Sequence, residues 1–201
     1  MIAESPASIH EFWFGLATDD RAIAATQSKL WWSKDTELDQ QMRIRFEPLL
    51  HSSSRGELAH WSDTPIGWLA TVLLHDQFPR NIYRGRPDSF AFDSKARDIA
   101  RTGIDKNFDR ELRPIERIFC YLPFEHSELL ADQDYSVGRI QGLHDELAVP
   151  LRIEFDGYLD FALRHREVIA RFGRFPHRNL ILGRDSSADE QEFLTQPGSS
   201  F

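Results

Sequence analysis

Apolar residues recur at spacings of three and four along most of this chain. Between residues 38 and 50, 66 and 74, and 153 and 172 they line one face of a helix with 3.6 residues per turn. No run of four or more residues alternates apolar and polar positions with β-branched enrichment. The pattern therefore predicts an all-α fold of eight or nine helices with no significant sheet.

Capping residues predict where several of these helices begin and end. Ser8 followed by Glu11 is typical of a capping box, and Gly15 ends the helix that follows. A helix from about Asp88 is expected to end at Gly103, and Ser127 is expected to start one that reaches about Leu147. Each Phe-Pro pair is expected to end a helix, because the residue before proline is disfavoured in the α conformation.

The domain organisation follows from the absence of a linker in the sequence. No segment rich in proline, glycine or serine is long enough to separate two domains. The sequence predicts a single helical domain over residues 1–201, with residues 195–201 as a frayed tail.

Composition narrows the class of protein. The 201 residues are 41% hydrophobic and 28% charged, which is typical of a soluble globular chain. The longest apolar stretch, residues 66–74, falls short of the ~20 residues needed to span a bilayer, so no membrane insertion is expected. Residues 1–8 lack the pattern of a signal peptide, and Cys120 has no second cysteine to pair with. We expect a cytoplasmic location.

The charge is unevenly distributed along the chain. The formal net charge is −8, which argues against general nucleic-acid binding. Residues 164–184 hold six arginines and one acid, so this segment carries +5 and the remainder carries −13. Arginine is the residue suited to planar contacts with carboxylate or phosphate, and the segment is therefore a candidate anion site.

Two segments of related sequence focus this candidate. Residues 76–85 and 171–184 both contain Phe-Pro, then Arg-Asn, then apolar residues, then arginine beside glycine. We interpret them as paired loops that build one polar site. The candidate ligand-binding residues are Asp76, Gln77, Arg80, Asn81, Arg84, Arg171, Arg174, His177, Arg178, Asn179 and Arg184.

A structural role competes with this interpretation. Arginine and asparagine side chains can hydrogen-bond the free carbonyls at a helix end. The acids Asp76, Glu125, Glu128 and Asp132 could also pair with the arginines internally. The sequence leaves both possibilities open.

Three residues are candidates for acid–base chemistry. His126 is expected at a helix start, where the helix dipole disfavours an imidazolium, and Glu128 follows it closely. His165 lies on the apolar stripe of its helix and should face inward. The alternatives are that residues 123–128 form only a capping segment and that His165 is a hydrogen-bonded core residue.

No metal or cofactor is predicted. The dyads His75-Asp76 and His144-Asp145 are weak evidence for a metal, because adjacent residues on a helix do not share a face. The sequence contains no HExxH motif, no cysteine cluster, no glycine-rich phosphate loop and no nucleophile-elbow pattern.

Several ordered motifs carry a family resemblance. They are Phe12-Trp13-Phe14-Gly15, Trp31-Trp32, Gly56-Glu57-Leu58 with Trp61, the run from Leu74 to Asn81, the run from Leu122 to Glu128, and residues 171–184. With them the chain resembles the bacterial family named Domain of Unknown Function 924. The resemblance implies a tetratricopeptide-like domain of antiparallel packed helices, and it brings no established activity.

Three functions are compatible with these observations. The first is binding of a phosphate- or carboxylate-bearing small molecule, with hydrolytic or acid–base chemistry as an extension. The second is a tetratricopeptide-like module that binds an acidic peptide. The third and least favoured is RNA binding through residues 164–184, which the −13 elsewhere opposes.

Overall fold

The computed structural model of the protein describes residues 4–199 as a set of helices without strands. The α-helices are α1 (Pro6–Phe14), α2 (Asp20–Trp32), α3 (Thr36–Ser54), α4 (Pro65–His75), α5 (Gln77–Ile82), α6 (Asp93–Asp105), α7 (Pro114–Glu125), α8 (Leu130–Glu146), α9 (Val149–Phe172) and α10 (Ala188–Leu194). Short 3-10 turns lie at Ala59–Asp63, Pro87–Phe90, Phe108–Glu111 and Pro176–Arg178. Only Asp76 separates α4 from α5, and counting these two as one interrupted helix gives nine. The predicted all-α fold is confirmed.

The core is built around α4 and the aromatic residues that surround it. Every residue of α4 from Gly67 to its end is buried, because the helix packs against α1, α3, α6 and α7. Phe78 lies 4.7 Å from Phe46 and 5.4 Å from Trp13 between ring centroids, and all three side chains are fully buried. Burying one such side chain stabilises the fold by roughly 1.5–3 kcal/mol.

Helices α8 and α9 form an antiparallel pair that positions the second Phe-Pro segment. Asp134 near the start of α8 pairs with Arg166 near the end of α9, at 2.6 Å. His144 near the end of α8 contacts Asp156 near the start of α9, at 2.7 Å. Helix α9 stops at Gly173, whose φ of 67° lies in the left-handed region that favours glycine.

Two of the predicted helix boundaries are wrong. The N-cap of α1 is Ser5, and Ser8 completes its capping box from the third helical position. Gly103 does not end α6 but lies inside it against Trp68, where an added Cβ would come within 2.0 Å of the indole Cε2. This glycine is required by close packing rather than by a helix end.

The first Phe-Pro pair also does not end a helix. The chain bends at Asp76 instead, and α5 continues through Pro79. Pro79 is tolerated because it occupies the first turn of α5, where its missing N–H has no partner to lose. The predicted turn therefore lies two residues earlier than the sequence indicated.

The helix predicted to start at Ser127 begins later. Helix α8 starts at Leu130, and α7 extends through Pro123 to Glu125. The Ser127 side chain accepts a hydrogen bond from the amide of Leu129 and donates one to Asp132. His126 is consequently the C-cap of α7 and not a helix-start residue.

The structure describes residues 195–199 of the predicted tail. The amide of Thr195 donates to Glu192 and that of Gln196 donates to Phe193, which continues the last turn of α10. Ser199 is 7% exposed, and its hydroxyl donates to the carbonyl of Leu194. Residues 200 and 201 of the predicted tail lie outside the described residues.

Candidate functional site

The two Phe-Pro segments meet at Asp93. Arg80, from α5, donates to both oxygens of the Asp93 carboxylate at 3.0 and 3.3 Å. Arg178, from the 3-10 turn after Pro176, reaches the same carboxylate at 3.5 Å. Asp93 lies at the start of α6 and is 85 residues from Arg178 in sequence. The two segments therefore face one another across a shared acid.

Asp76 and His126 form the most tightly held pair at this junction. The Nδ1 of His126 lies 2.7 Å from Oδ1 of Asp76, and the side-chain Nε2 of Gln77 donates to Oδ2 at 2.5 Å. Burial of Asp76 raises its pKa, but the attraction of His126 and Arg80 outweighs burial and lowers that pKa to about 2. Because Asp76 is ionised, it accepts, and the proton of the neutral imidazole resides on Nδ1. The other ring nitrogen, Nε2, is left as a base.

The neutral state of His126 has a different cause from the one predicted. At the C-cap of α7 the helix dipole favours a cation, which is opposite to the expected effect. Burial, and then the positive charge of Arg80, nevertheless lower the pKa of His126, and Asp76 opposes them only in part. A neutral imidazole at ordinary pH thus follows from desolvation and a neighbouring cation.

Glu125 and His165 lie next to this pair. Glu125 is 4% exposed, and burial followed by repulsion from Asp76 raises its pKa to about 8. The Nδ1 of His165 lies 2.8 Å from the carbonyl oxygen of Phe161 and 3.2 Å from Oε1 of Glu125. Burial lowers the pKa of His165 to about 3. At neutral pH the site therefore holds a protonated carboxyl group and a neutral imidazole side by side.

Arg178 is the most unusual cation of the site. Its guanidinium lies between the rings of Phe90 and Phe175, at 4.6 and 4.4 Å from the centroids. It is 6% exposed, and its Nε has no hydrogen-bond partner among residues 4–199. Burial and the charge of Arg80 lower its pKa to about 10. Burial and Arg178 in turn lower the pKa of the adjacent His177 to about 4.

We call this set of side chains the buried polar cluster. Its members are Asp76, Arg80, Asp93, Glu125, His126, His165, His177 and Arg178. With the carboxyl of Glu125 protonated and the imidazoles neutral, two carboxylates balance two guanidinium groups. The side chains of Arg80, His126 and Asp93 are 19%, 14% and 12% exposed, so solvent reaches the cluster on their side.

Other predicted site residues form a structural clasp instead. Glu128 accepts from Arg184 at 2.7 and 2.9 Å and from the amide of Phe175 at 2.8 Å. Arg184 also donates to the side-chain oxygen of Asn179 and to the carbonyl of Phe175. The carboxylate of Glu128 is thus engaged in holding the second Phe-Pro segment, which is the internal pairing weighed from the sequence.

Acids elsewhere in the chain neutralise most of the remaining cations. Arg174 pairs with Glu190 of α10 at 2.6 and 2.8 Å. Arg84 and Asn81 both donate to Asp39 of α3. These contacts fasten the segments to neighbouring helices.

Two further residues named from the sequence lie apart from the cluster. Arg171 is exposed, and its guanidinium lies 4.6 Å from the ring centroid of Phe172, beside an open depression of about 460 Å³. Asp132, weighed as a partner for the loop arginines, pairs instead with Arg97 and Arg101 of α6. Neither residue contributes to the junction at Asp93.

The sequence did not single out Asp93 and gave Glu125 only a neutralising role. No local motif distinguishes Asp93, because its partners come from α5 and from the turn after α9. Glu125 adjoins His126 in sequence, and a carboxyl group at the end of an apolar helix is the signal that could have identified it.

Within residues 4–199 no group of three or more His, Cys, Asp or Glu side chains could hold a metal ion. None of the helices in this part of the chain combines the length and the apolar character needed to span a membrane.

Comparisons with known proteins agree with the fold. A protein of unknown function from Agrobacterium tumefaciens has a solved structure that is similar to this chain, with 34% sequence identity and a TM-score of 0.79. The similarity covers 94% of this chain and 96% of that one. No curated protein matches the chain. A model of the family described as "Bacterial protein of unknown function (DUF924)" matches residues 9–198. The resemblance inferred from the sequence motifs is confirmed, and the chain belongs to the DUF924 family.

Proposed function

We propose that this chain binds a small molecule bearing a phosphate or carboxylate group at the buried polar cluster. The observation that carries the proposal is the environment of Arg178. Its guanidinium is held between two aromatic rings, is nearly inaccessible to water, and has an Nε–H with no partner in residues 4–199. Leaving a buried donor unsatisfied costs about 1–3 kcal/mol, and an anion would supply the missing acceptor.

Stability alone gives little reason to keep such a cluster. Burying charged groups has a desolvation penalty of several kcal/mol per ion, and well-packed apolar residues often replace buried ion pairs without loss of stability. The contact between Arg178 and Asp93 is long, at 3.5 Å, so Arg178 recovers little of that penalty. Strongly shifted pKa values concentrated in one place are typical of functional sites.

The same cluster supports acid–base chemistry on the bound molecule. His126 would act as the base through Nε2, with Asp76 fixing the ring by the 2.7 Å contact to Nδ1. Glu125 would supply a proton, because its carboxyl group stays protonated near neutral pH. A pair of titratable groups whose environments push their pKa values apart, here Glu125 upward and His126 downward, is a recurrent basis for assigning acid and base roles.

The proposal divides the residues predicted from the sequence. Asp76, Arg80, His126, His177 and Arg178 lie at the proposed site with Gln77, and His165 lies behind Glu125. The clasp and the ion pairs with other helices hold most of the rest in place: Asn81, Arg84, Glu128, Arg174, Asn179 and Arg184. Arg171 is exposed and belongs to neither group.

A thermal-shift screen tests the proposal. The protein is melted with sulfate, inorganic phosphate, acetate and a set of phosphorylated metabolites and organic acids. A ligand at 100 times its Kd adds ~2.7 kcal/mol, which is ~5–10 °C for a chain of this size. We expect at least one phosphate or carboxylate compound to give such a shift.

Two variants assign the shift to the cluster. Arg178→Gln should abolish it, and Arg174→Gln, which removes a cation paired with Glu190 outside the cluster, should preserve it. If no compound raises the melting temperature of the unaltered protein, the proposal fails. It also fails if Arg178→Gln stays folded and responds as the unaltered protein does.

The two alternative functions have less support from the contacts. A tetratricopeptide-like module that binds an acidic peptide needs accessible arginines, yet Arg178 is buried and Arg174 and Arg184 are engaged with acids. RNA binding meets the same difficulty, in addition to the net charge of −8. A cytoplasmic location remains part of the proposal, because Cys120 is a buried free thiol.

A further inference from the structure

The charge balance of the buried polar cluster has a consequence for how it could take up an anion. Arg80 and Asp76 at the α4–α5 junction and Asp93 of α6 act directly on the charge of His126, as does His177 after α9. The ring of His165 of α9 lies 6.4 Å from that of His126 between centroids. Glu125 of α7 and Arg178 after α9 adjoin His165. Two carboxylates and two guanidinium groups already cancel one another there. The nearby pair of Glu128 and Arg184 is neutral as well.

An added anion would therefore leave the cluster with an uncompensated negative charge. Such a charge is strongly disfavoured in a site whose side chains are 0–19% exposed, because little water is left to solvate it. One proton would remove the imbalance.

His126 is the group placed to accept that proton. Its Nδ1–H is already donated to Asp76, so a second proton would go to Nε2, and the imidazolium would lie between Asp76 and the bound anion. Its side chain is 14% exposed, so the proton can arrive from solvent. His165 lies deeper, with a side chain 6% exposed.

We propose that binding of an anion at the buried polar cluster is coupled to the uptake of one proton at Nε2 of His126. This inference rests on the proposed function. The balance is one anion and one proton taken from water, with the imidazole converted to an imidazolium that keeps its hydrogen bond to Asp76. Affinity should therefore weaken as pH rises, by up to tenfold per pH unit where the free ring is neutral and the bound ring is charged.

Burial and Arg80 hold the pKa of free His126 below its ordinary value, so the ring is neutral before binding at pH 7. An anion within contact distance would favour the charged form of the ring. The window of strong pH dependence then begins below pH 7 and extends upward to the raised pKa of the complex.

Isothermal titration calorimetry with sulfate and with acetate measures the coupling. Neither ion changes its own charge between about pH 6 and 8, so a proton taken up belongs to the protein. Titrations in two phosphate-free buffers with different ionisation enthalpies give the number of protons bound per anion. We expect a number close to one in the unaltered protein and a Kd that rises with pH.

Two variants locate the proton. His126→Gln keeps an N–H for Asp76 but cannot be protonated, so any binding that remains should take up no proton and should be insensitive to pH. His144→Gln removes an imidazole outside the cluster, which pairs with the exposed Asp156, and should leave the proton count unchanged.

The possible results separate the two proposals. If sulfate or acetate binds with no proton uptake, the coupling is overturned and the binding site stands. If the uptake persists in His126→Gln, the assignment to His126 is overturned. If neither ion nor any member of the thermal-shift panel binds, the proposed function fails and the coupling fails with it. The count in the unaltered protein decides the coupling even where His126→Gln no longer binds.

Discussion

Replacing Asp76 with asparagine would test how strongly the buried polar cluster is held together. Asp76 is fully buried and contacts His126 at 2.7 Å, Gln77 at 2.5 Å and Arg80 at 3.6 Å. Asparagine has nearly the same shape and can still accept from the imidazole. The substitution therefore removes the charge while leaving packing almost unchanged.

The size of the effect follows from the pKa of the carboxyl group. His126 and Arg80 overcome the opposing effect of burial and hold that pKa at about 2, against an ordinary value of ~3.9. A lowering of nearly two pH units corresponds to roughly 2–3 kcal/mol. Asp93 still pairs with Arg80 in the variant, which limits the further penalty. We expect Asp76→Asn to lower the free energy of unfolding by ~2–4 kcal/mol.

The pH dependence has a defined sign. The pKa of Asp76 is lowered in the folded state, so its contribution is complete above ~pH 4 and is lost as pH falls toward 2. The difference in stability between the unaltered protein and Asp76→Asn should be full at about pH 5 and roughly half as large at about pH 3. Urea unfolding followed by circular dichroism gives both values.

A matched control comes from the protein surface. Asp156 contacts His144 at the same 2.7 Å, but its side chain is 64% exposed. Asp156→Asn should change stability by no more than ~0.5 kcal/mol, because exposed ion pairs contribute little. If Asp76→Asn costs no more than Asp156→Asn, the reasoning on the buried pair is refuted.

Three other changes probe separate features of the fold. Arg184→Ala should lower the free energy of unfolding in urea by ~2 kcal/mol, because it breaks the charged hydrogen bonds to Glu128. It should leave any sulfate-induced thermal shift in place. Loss of that shift would contradict a purely structural role for the clasp. Because the pKa of Glu125 is raised in the folded state, the free energy of unfolding should fall by up to ~1.4 kcal/mol per pH unit between about pH 4.5 and 8. Glu125→Gln should flatten this dependence. An unchanged profile would show that Glu125 is ionised in the folded protein. Gly103→Ala should destabilise the protein by ~1–3 kcal/mol, because the added methyl group would overpack against Trp68. Gly138→Ala lies in a helix with open space around it and should stabilise the protein by ~0.5–1 kcal/mol. Equal effects of the two substitutions in thermal melts would contradict the packing argument.

The helical architecture could be predicted because its causes are local. Apolar spacing along α3, α4 and α9 specifies which face is buried, and caps such as Asp35 and Ser187 accept from amides two or three residues away. The errors arose where proline, serine or glycine has two compatible roles, as at Gly103, which packs against Trp68 instead of ending α6. Pro79 fits the first turn of a helix as well as a helix end, and Ser127 stabilises a turn before α8 rather than the helix itself.

The candidate site could be predicted only in part. Sequence similarity between the two Phe-Pro segments indicated that they belong together, and both reach Asp93 in the structure. The pairing of each arginine could not be predicted, since Glu128 lies in the turn before α8, while Glu190 and Asp39 lie in α10 and α3. Which cations are neutralised depends on tertiary packing, and a composition of many acids and arginines allows many pairings.

The most direct test of the account follows the ring nitrogens of the histidines by ¹⁵N NMR during a sulfate titration at about pH 7. Binding at the buried polar cluster should move the Nε2 signal of His126 toward that of a protonated imidazole, while its Nδ1 signal keeps the character of an N–H bonded to Asp76. His144, which pairs with the exposed Asp156 outside the cluster, serves as the internal reference and should not shift. If the signals of His126 stay as constant as those of His144 up to saturating sulfate, the claim that this cluster binds anions with His126 as the proton acceptor is contradicted.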